Sequence, residues 1–262
     1  MFGNIGLVDA DSLYFRICMV TQKQKDIRTG INHSVKDIRR NLGTDNLLFA
    51  IKGRENFRND IYSKYKANRK ELEPHLKKAL TYAHKYMVDY HGAVVADGME
   101  ADDLVSIWAY EQLDYGQDPI VVGIDKDLLQ IPGWHYNFVK KDWTHVDPDT
   151  GNLNLMLQCL TGDSADNIPG IKGIGPVKAK RILTGVPLQR RWNRVRAAWR
   201  QHKAGSPDTS WRLLKMLTSW EEYDELRSKI TDETSVSEQH VLETGQANKE
   251  DEGLRSVPAG DA

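Results

Sequence analysis

The stretch PIVVGIDKDLLQ, residues 119–130, joins a short apolar run to two acids. Residues 119–124 begin with a proline and are rich in β-branched side chains, which is typical of a strand. Asp125 and Asp127 follow this predicted strand at once. In an open parallel sheet, functional groups gather outside the carboxyl ends of the strands. The stretch therefore predicts one strand of such a sheet, with acids at its functional edge.

Three further apolar runs, at residues 4–8, 46–51 and 92–96, also read as strands. Helix-compatible sequence separates each run from the next, and residues 74–92 form a convincing helix opened by a proline and stopped by a glycine. Alternation of this kind predicts an α/β fold, with a mostly parallel central sheet and helices on both faces.

Acids follow each of these predicted strands except the second. The set comprises Asp9 and Asp11, then Glu100, Asp102 and Asp103, then Asp125 and Asp127, and from a later stretch Asp163 and Asp166. Any one of them could be an ordinary helix cap. Together they cannot all stay ionised at contact distance without compensation, and hard divalent cations such as Mg²⁺ or Mn²⁺ are the natural remedy. Two such ions suit the hydrolysis of a phosphodiester.

Other chemistries find no support in the sequence. No His accompanies a plausible Ser or Cys nucleophile, and no P-loop motif suggests nucleotide hydrolysis. The two cysteines, Cys18 and Cys159, have no zinc-site spacing and read as buried thiols of a reducing compartment. The sequence has neither the pattern of a signal peptide nor a membrane-spanning run. We therefore expect a cytoplasmic protein, in the cytoplasm of the host cell if a phage encodes it.

A glycine-rich turn follows the last acids, in LTGDSADNIPGIKGIGPVKAKRIL at residues 160–183. Glycines let the main chain approach a ligand closely, and a helix predicted from Pro176 to Leu183 would point its N-terminus at an anion. A plain structural turn is the alternative. The predicted contacts to a phosphate backbone are Gly170, Lys172, Gly173, Gly175, Lys178 and Lys180.

The formal net charge of −1 conceals an uneven distribution. Residues 172–203 hold ten Lys and Arg and no acid, whereas residues 221–262 hold twelve acids and four bases. A basic stripe is the usual footprint of nucleic-acid binding. Within it, Trp192, Val195 and Trp199 fall at helical spacing and favour core packing. A second basic segment, residues 52–73, interleaves Tyr62 and Tyr65 and suits single-stranded nucleic acid, or is an ordinary charged connection.

Read in order, five motifs resemble the structure-specific 5′-nucleases. These are flap endonucleases, phage 5′→3′ exonucleases and the nuclease domain of bacterial DNA polymerase I. The motifs are VDADSLYF (8–15), YKANR (65–69), MEADDLV (99–105), GIDKDLLQ (123–130) and LTGDSADNIPGIKGIG (160–175). The short chain is most similar to the phage members.

The resemblance implies a PIN-like core over residues 1–158, a helical arch at about 54–78 and a helical DNA-binding region over 159–227. An acidic tail, expected to be disordered, would follow at 228–262. The implied metal ligands are Asp9, Glu100, Asp102, Asp103, Asp125, Asp127, Asp163 and Asp166, with Asp11 less certain. Lys66 and Arg69 would contact the scissile phosphate and Tyr65 would stack nearby. The glycine turn would belong to a helix-three-turn-helix that holds duplex DNA and, in relatives, K⁺.

The sequence thus predicts a divalent-metal-dependent 5′-3′ exonuclease and 5′-flap endonuclease that uses two Mg²⁺ or Mn²⁺ ions. We expect it to act as a monomer on DNA with flaps, nicks or free 5′ ends, beside replication proteins. One departure is notable, because many relatives have a further metal-site Asp where this chain has Ile51 or Gly53. A metal-dependent ribonuclease and a non-catalytic DNA-junction binder remain alternatives.

Overall fold

The computed structural model describes residues 5–231 of the chain. These residues contain one six-stranded sheet in the order β3-β2-β1-β4-β5-β6. The strands are β1 (Gly6–Asp9), β2 (Leu47–Lys52), β3 (Val94–Ala96), β4 (Ile120–Val122), β5 (Gly133–Asn137) and β6 (Asp142–Val146). All neighbours are parallel except the hairpin of β5 and β6. The predicted α/β class with a mostly parallel sheet is confirmed.

Helices connect the strands and flank the sheet. They are α1 (Ala10–Val20), α2 (Gln24–Leu42), α3 (Phe57–Ile61), α4 (Pro74–His91), α5 (Ala101–Asp114), α6 (Pro148–Thr161), α7 (Pro176–Leu183), α8 (Leu188–Gln201) and α9 (Asp208–Leu214). A 3-10 helix, Lys126–Gln130, follows β4. Local sequence explains several ends: Pro74 opens α4, and Gly92, in the left-handed region at φ 63°, closes it.

Two clusters of apolar side chains hold the described residues together. In the first cluster α1, α2 and α4 pack on one another and cover one face of the sheet, while α5 packs against β1 to β4 from the other side. The second cluster lies among α6, α7, α8 and α9. Val195 and Trp199 are buried within it and Trp192 packs against it, so the predicted core role of these three is confirmed.

Helix α6 contributes Leu155 to the second cluster and also contacts the 3-10 helix that follows β4. The boundary expected at residue 158 therefore falls inside a continuous helix, and residues Met1–Ser219 form one compact unit. Residues 220–231 are helical and belong to a second unit. This helix includes 228–231, where the sequence predicted the start of a disordered tail, and the rest of that tail lies outside the described residues.

Over residues 5–231, no helix combines the length and the apolar character needed to cross a lipid bilayer.

Two glycines of the 160–183 segment are required for packing. A Cβ on Gly170 would lie 2.2 Å from the carbonyl carbon of Thr161, and a Cβ on Gly162 would lie 2.5 Å from the carbonyl oxygen of Ile168. Both approaches involve backbone atoms, which cannot rotate away. Gly175 differs, because a Cβ there would have no other atom within 4 Å and its φ is −92°.

We expect Gly170→Ala to lower the free energy of unfolding by at least about 2 kcal/mol, because the new methyl group displaces the main chain. Gly175→Ala is the matched control and should cost less than about 1 kcal/mol. Urea unfolding followed by circular dichroism measures both. Equal losses for the two variants would contradict the packing assigned to Gly170.

Candidate active site

Asp9 and Asp11 stand where β1 passes into α1. Asp9 ends the strand and caps the helix, with its Oδ1 accepting from the Asp11 N–H at 3.2 Å. Asp11 accepts a hydrogen bond from the hydroxyl of Tyr14 and, at 3.0 Å, another from the main-chain N–H of Lys52 in β2. The carboxylate of Asp9 is almost fully buried. Both acids therefore lie at the carboxyl ends of β1 and β2.

Asp125 and Asp127 occupy the same edge after β4. Asp125 caps the 3-10 helix by accepting from the Asp127 N–H at 2.9 Å. Lys126, between them, extends its Nζ to within 2.9 Å of Oδ2 of Asp163. Asp163 also accepts from the Ala165 N–H at 2.7 Å. This lysine links the acids after β4 to the loop after α6.

Glu100 caps α5 and is held by three donors. Its Oε1 accepts from Asn56 Nδ2 at 2.9 Å, its Oε2 accepts from the Tyr65 hydroxyl at 3.0 Å, and Lys66 Nζ forms a short ion pair with it. The same ammonium group lies 3.6 Å from Oδ2 of Asp166. The structure thus joins Glu100 and Asp166, two predicted ligands, through one cation.

The turn that carries Lys66 is docked on the loop of Asp163 and Asp166. Lys66 N–H donates to the Asp166 carbonyl at 2.9 Å, and Asn68 Nδ2 donates to the Ser164 carbonyl at 2.6 Å. Arg69 forms a short ion pair with Asp166. The predicted phosphate-binding residues Lys66 and Arg69 are therefore brought beside the predicted metal-site acids.

Burial and mutual repulsion perturb the acids. Desolvation, followed by the charges of Asp11 and Asp125, raises the pKa of Asp9 to about 7. Desolvation and Asp125 raise the pKa of Asp127 to about 6. Asp102 is buried beside Glu100, and these two effects raise its pKa well above the ordinary value. The ordinary pKa of an Asp is near 3.8, so the surroundings at this edge of the sheet disfavour the ionised forms of these three carboxyl groups.

Glu100 titrates in the opposite direction. Burial alone would raise its pKa, but the charges of Arg58 and Lys66 outweigh burial and lower it. In Asp163, burial is likewise outweighed, by the hydrogen bond from Lys126, and the pKa is lowered. Cationic neighbours thus favour the ionised forms of Glu100 and Asp163, whereas Asp9, Asp102 and Asp127 resist ionisation.

These residues fit divalent cations by donor chemistry. Carboxylate oxygens are the ligands that Mg²⁺ and Mn²⁺ prefer, and a cation removes the repulsion that raises the pKa values of Asp9, Asp102 and Asp127. Within residues 5–231, no three acidic, His or Cys side chains are already arranged around one point. Ammonium groups hold the carboxylates instead, Lys66 at Glu100 and Lys126 at Asp163.

Asp103 does not belong with the other acids. It is fully buried and accepts two hydrogen bonds from the guanidinium of Arg58, one of them at 2.9 Å. The main-chain N–H groups of Glu100 and Leu217 donate to it at 3.1 and 3.2 Å. Its oxygens are thereby occupied, so we replace its expected metal role with a structural one. Because the Arg58 guanidinium is buried against Asp103, it is not exposed to contact nucleic acid, although Arg58 belongs to the basic segment 52–73.

Tyr65 is placed differently from its expected role. It is buried in the second cluster, with its hydroxyl on Glu100, so its ring does not present a face to a base. The segment expected to form a helical arch, residues 54–78, contains the short α3, then turns over residues 63–69, and then the start of α4 at Pro74. Lys66 lies in one of these turns with φ 55°. Lys66 and Arg69 therefore converge on Asp166 from a turn instead of from one helix face.

The structure accounts for the missing Asp after β2. Ile51 is fully buried in the first cluster. Gly53 donates its N–H to the Ala96 carbonyl at 3.0 Å, and a Cβ there would lie 2.6 Å from that oxygen. The side chain at position 51 is therefore directed into the core, and position 53 has no room for a side chain. The acids at this end of the sheet come from β1, β4, α5 and the 163–166 loop.

The glycine turn separates into two parts. Gly170 is packed against Thr161, so it contributes to packing instead of facing a ligand. Gly173 and Gly175 are exposed, with φ 81° at Gly173 and Gly175 at the N-cap of α7. Lys172, Lys178 and Lys180 are exposed around them, and Lys178 Nζ lies 2.9 Å from the Gly173 carbonyl. This exposed part suits an anion.

A family model for the 5′-3′ exonuclease N-terminal resolvase-like domain matches residues 4–152, more than half of the chain. The chain belongs to this family. It is 35% identical over 140 residues to DNA polymerase I of Rhizobium leguminosarum, covering 48% of this chain and 14% of the polymerase. It is 30% identical over 140 residues to flap endonuclease Xni of Shewanella piezotolerans, covering 48% of this chain and 53% of the relative. The chain thus spans about half or less of the length of these two relatives.

A third relative is covered more fully, and solved structures share the fold. Flap endonuclease Xni of Vibrio atlanticus is 27% identical over 197 residues, 69% of this chain and 77% of the relative. A zinc-bound structure of T5 5′-exonuclease aligns with a TM-score of 0.65 at 17% identity, covering 87% of this chain and 98% of that one. The resemblance drawn from the five motifs is confirmed at the level of family and fold.

Sequence reasoning missed three side chains that contact the candidate site acids. Asn56 donates to Glu100, and Gln158 in α6 donates to Asp127. Lys126 could have been noticed, because it stands between two site acids. Asn56 and Gln158 lie 44 and 31 residues from their partners, and no local pattern marks them.

The raised pKa of Asp9 gives a pH prediction. Between its unfolded pKa near 4 and its folded pKa near 7, the folded state binds more protons than the unfolded state. Its contribution to stability therefore falls as pH rises through this window. Glu100 and Asp163, with lowered pKa values, are already ionised there and add no slope.

We expect the unfolding temperature of the metal-free protein to fall by several degrees between about pH 5 and about pH 8. Asp9→Asn should flatten this slope. In the wild-type protein, millimolar Mg²⁺ should raise the unfolding temperature at about pH 8 back to its value at about pH 5. Differential scanning calorimetry in chelator and in Mg²⁺ measures these quantities. A wild-type slope that is unchanged in Asp9→Asn would contradict the assignment.

Proposed function

We propose that the protein is a divalent-metal-dependent nuclease that hydrolyses DNA phosphodiesters, as a 5′-3′ exonuclease and 5′-flap endonuclease. One observation carries the proposal: acids from four separate elements crowd one sheet edge, and two basic side chains of the 63–69 turns reach the same place. Family membership supports the reaction class. The Xni relatives are named flap endonucleases, and one structural neighbour is a T5 flap endonuclease complex with DNA and metal ions.

The acids would hold two Mg²⁺ or Mn²⁺ ions. We assign this role to Asp9, Glu100, Asp102, Asp125, Asp127, Asp163 and Asp166, with Asp11 beside them. Bound ions would activate water for attack and stabilise the departing oxygen. The protein's own part is to bury Asp9 and Asp163 and to set the spacing of the carboxylates through the caps of α1, α5 and the 3-10 helix.

Lys66 and Arg69 would bind the scissile phosphate. In the described structure both already pair with carboxylates of the site, Lys66 with Glu100 and both with Asp166. A phosphate offers the same negative oxygens, and a guanidinium can bind it through two parallel hydrogen bonds. Exchange of these ion pairs would place the phosphate beside the acids. Tyr65 would fix the Glu100 side chain through its hydroxyl.

Gly173, Gly175 and the lysines of α7 would hold the duplex arm of the substrate. Main-chain N–H groups and lysines read phosphate positions without regard to sequence, which suits an enzyme that recognises DNA shape. K⁺ at this turn, monomeric action and a place in replication or recombination beside replication proteins belong to the same proposal. The ribonuclease alternative would need the acids but would not need this turn.

Asp125→Ala separates catalysis from binding. The variant removes a carboxylate of the site and leaves the α7 surface intact. We expect flap-DNA cleavage in Mg²⁺ to fall at least about 100-fold, with the Kd for flap DNA changed less than about threefold. Gel-based cleavage and fluorescence anisotropy in Ca²⁺ measure the two quantities. A wild-type protein that binds flap DNA but never cleaves it would favour the junction-binding alternative.

Substrate class is tested with matched flaps of DNA and RNA. We expect the DNA flap to be cleaved at least about tenfold faster, yielding 5′-monophosphates, with chelator abolishing the reaction. Lys66→Ala should slow DNA cleavage strongly, because its ammonium group stands beside Glu100. Lys64→Ala is the control, since Lys64 is exposed two residues away. Faster cleavage of the RNA flap would support the ribonuclease alternative.

A further inference from the structure

The main chain at the end of α9 and directly beyond it, residues 213–217, forms hydrogen bonds with two different parts of the candidate active site. This segment, which we term the bracket, lies outside residues 4–152 that match the family model. Most of its side chains are buried, and Leu213, Leu214, Met216 and Leu217 are each at most 5% exposed. Four of its main-chain groups are nevertheless paired with groups that lead to a site acid: the carbonyls of Leu213, Leu214 and Lys215 and the N–H of Leu217.

The first connection runs through Arg58 to α5. Arg58 Nε donates to the Leu213 carbonyl at 2.8 Å, and Nη2 donates to the Lys215 carbonyl at 3.2 Å. The same guanidinium grips Asp103, which also accepts from the Leu217 N–H at 3.2 Å. Asp103 in turn accepts from the Glu100 N–H. The bracket therefore fixes the first turn of α5, which carries Glu100 and Asp102.

The second connection runs through two glutamines to Asp127. Gln130 Nε2 donates to the Leu214 carbonyl at 3.0 Å and to Gln158 Oε1 at 2.9 Å. Gln158 Nε2 then donates to Asp127. Gln130 is buried, so these bonds are not exchanged freely with water. The bracket thus also fixes the acids that follow β4.

A third bond joins α9 to the DNA-binding turn. Ser210, fully buried in α9, donates its hydroxyl to the Pro169 carbonyl at 2.8 Å. Pro169 directly precedes Gly170, which packs against the end of α6. The helix that leads into the bracket is therefore attached to the glycine turn as well.

We propose that the bracket sets the distance between the two groups of metal-binding acids, and that Arg58 and Gln158 are positioning residues for the nuclease reaction. Neither residue would touch substrate. Each instead fixes one group of carboxylates to the same five residues of main chain. The inference rests on the proposed function, because it assigns these residues to the spacing of a site that holds metal ions.

Bonds to one shared bracket would position the two groups of acids relative to each other, which two separate attachments would not do. A buried guanidinium with a paired carboxylate and two carbonyls fixes its neighbours, because breaking any of these bonds leaves a buried polar group unpaired. Metal ions require oxygens at defined distances, so an acid that moves by a fraction of an ångström loses affinity. Since both connections end at the bracket, loosening either one should relax the same spacing.

The test compares two site variants with a matched buried arginine. Arg58→Lys removes the bidentate grip and Gln158→Met removes the donor to Asp127 with little change of volume. Arg191→Lys is the control, because Arg191 is also buried and also bonds a carbonyl and a carboxylate, those of Asp149, far along the chain from the acids. The readouts are Mn²⁺ binding by titration calorimetry, kcat and KM on flap DNA, and unfolding temperature.

We expect Arg58→Lys and Gln158→Met each to weaken Mn²⁺ binding about tenfold and to lower kcat about as much, with KM for DNA nearly unchanged. Arg191→Lys should lower the unfolding temperature without changing the Mn²⁺ Kd. The double variant should lose less Mn²⁺ affinity than the product of the two single losses, by at least about threefold, whereas independent supports would multiply.

Unchanged Mn²⁺ binding in Gln158→Met, multiplicative losses, or an equal effect in Arg191→Lys would overturn the proposal. Gln158→Met keeps the test decisive if Arg58→Lys fails to fold. Failure of the proposed function has a different signature: the wild-type protein would then not cleave flap DNA. If it still bound Mn²⁺, the Mn²⁺ titrations would test the bracket without any cleavage assay, and absence of wild-type Mn²⁺ binding would overturn both.

Discussion

Repulsion among buried carboxylates is the constraint around which this site is built. Parallel strands deliver Asp9 and Asp125 to one edge, and α5 and the 163–166 loop add their own acids to it. Burial makes the repulsion costly, as the raised pKa values of Asp9, Asp102 and Asp127 indicate. Positive charge must balance it, and in the chain alone Lys66, Lys126 and Arg58 supply part of that charge.

Under the proposed function, the same balance would connect substrate binding to the metal site. Lys66 and Arg69 neutralise acids when no DNA is present, and phosphate oxygens would compete for the same cationic groups. Divalent ions would take over the neutralisation of Glu100 and Asp166 as the basic side chains turn to the substrate. The turn of residues 63–69 is suited to such an exchange, because it is short, docked through main-chain and amide hydrogen bonds, and set beside the acids.

Sequence alone predicted four of the six strands, the class of the fold and most of the acids, because these depend on local apolar runs and on the residues directly after each run. The β5–β6 hairpin was missed, because polar residues flank Trp134 and Trp143 and leave no apolar run there. The role of Asp103 could not be predicted either. It is adjacent to Asp102 on α5, and neighbouring helical residues point about 100° apart. Which of them faces the site depends on Arg58, 45 residues away.

Anomalous diffraction from crystals soaked in MnCl₂ would show whether divalent ions bind among these carboxylates. We expect Mn²⁺ peaks among the carboxylates of Asp9, Glu100, Asp125 and Asp127, with Lys66 or Lys126 displaced from its carboxylate partner. Crystals that show these acids still paired with the lysines, and manganese nowhere among them at saturating concentration, would contradict it.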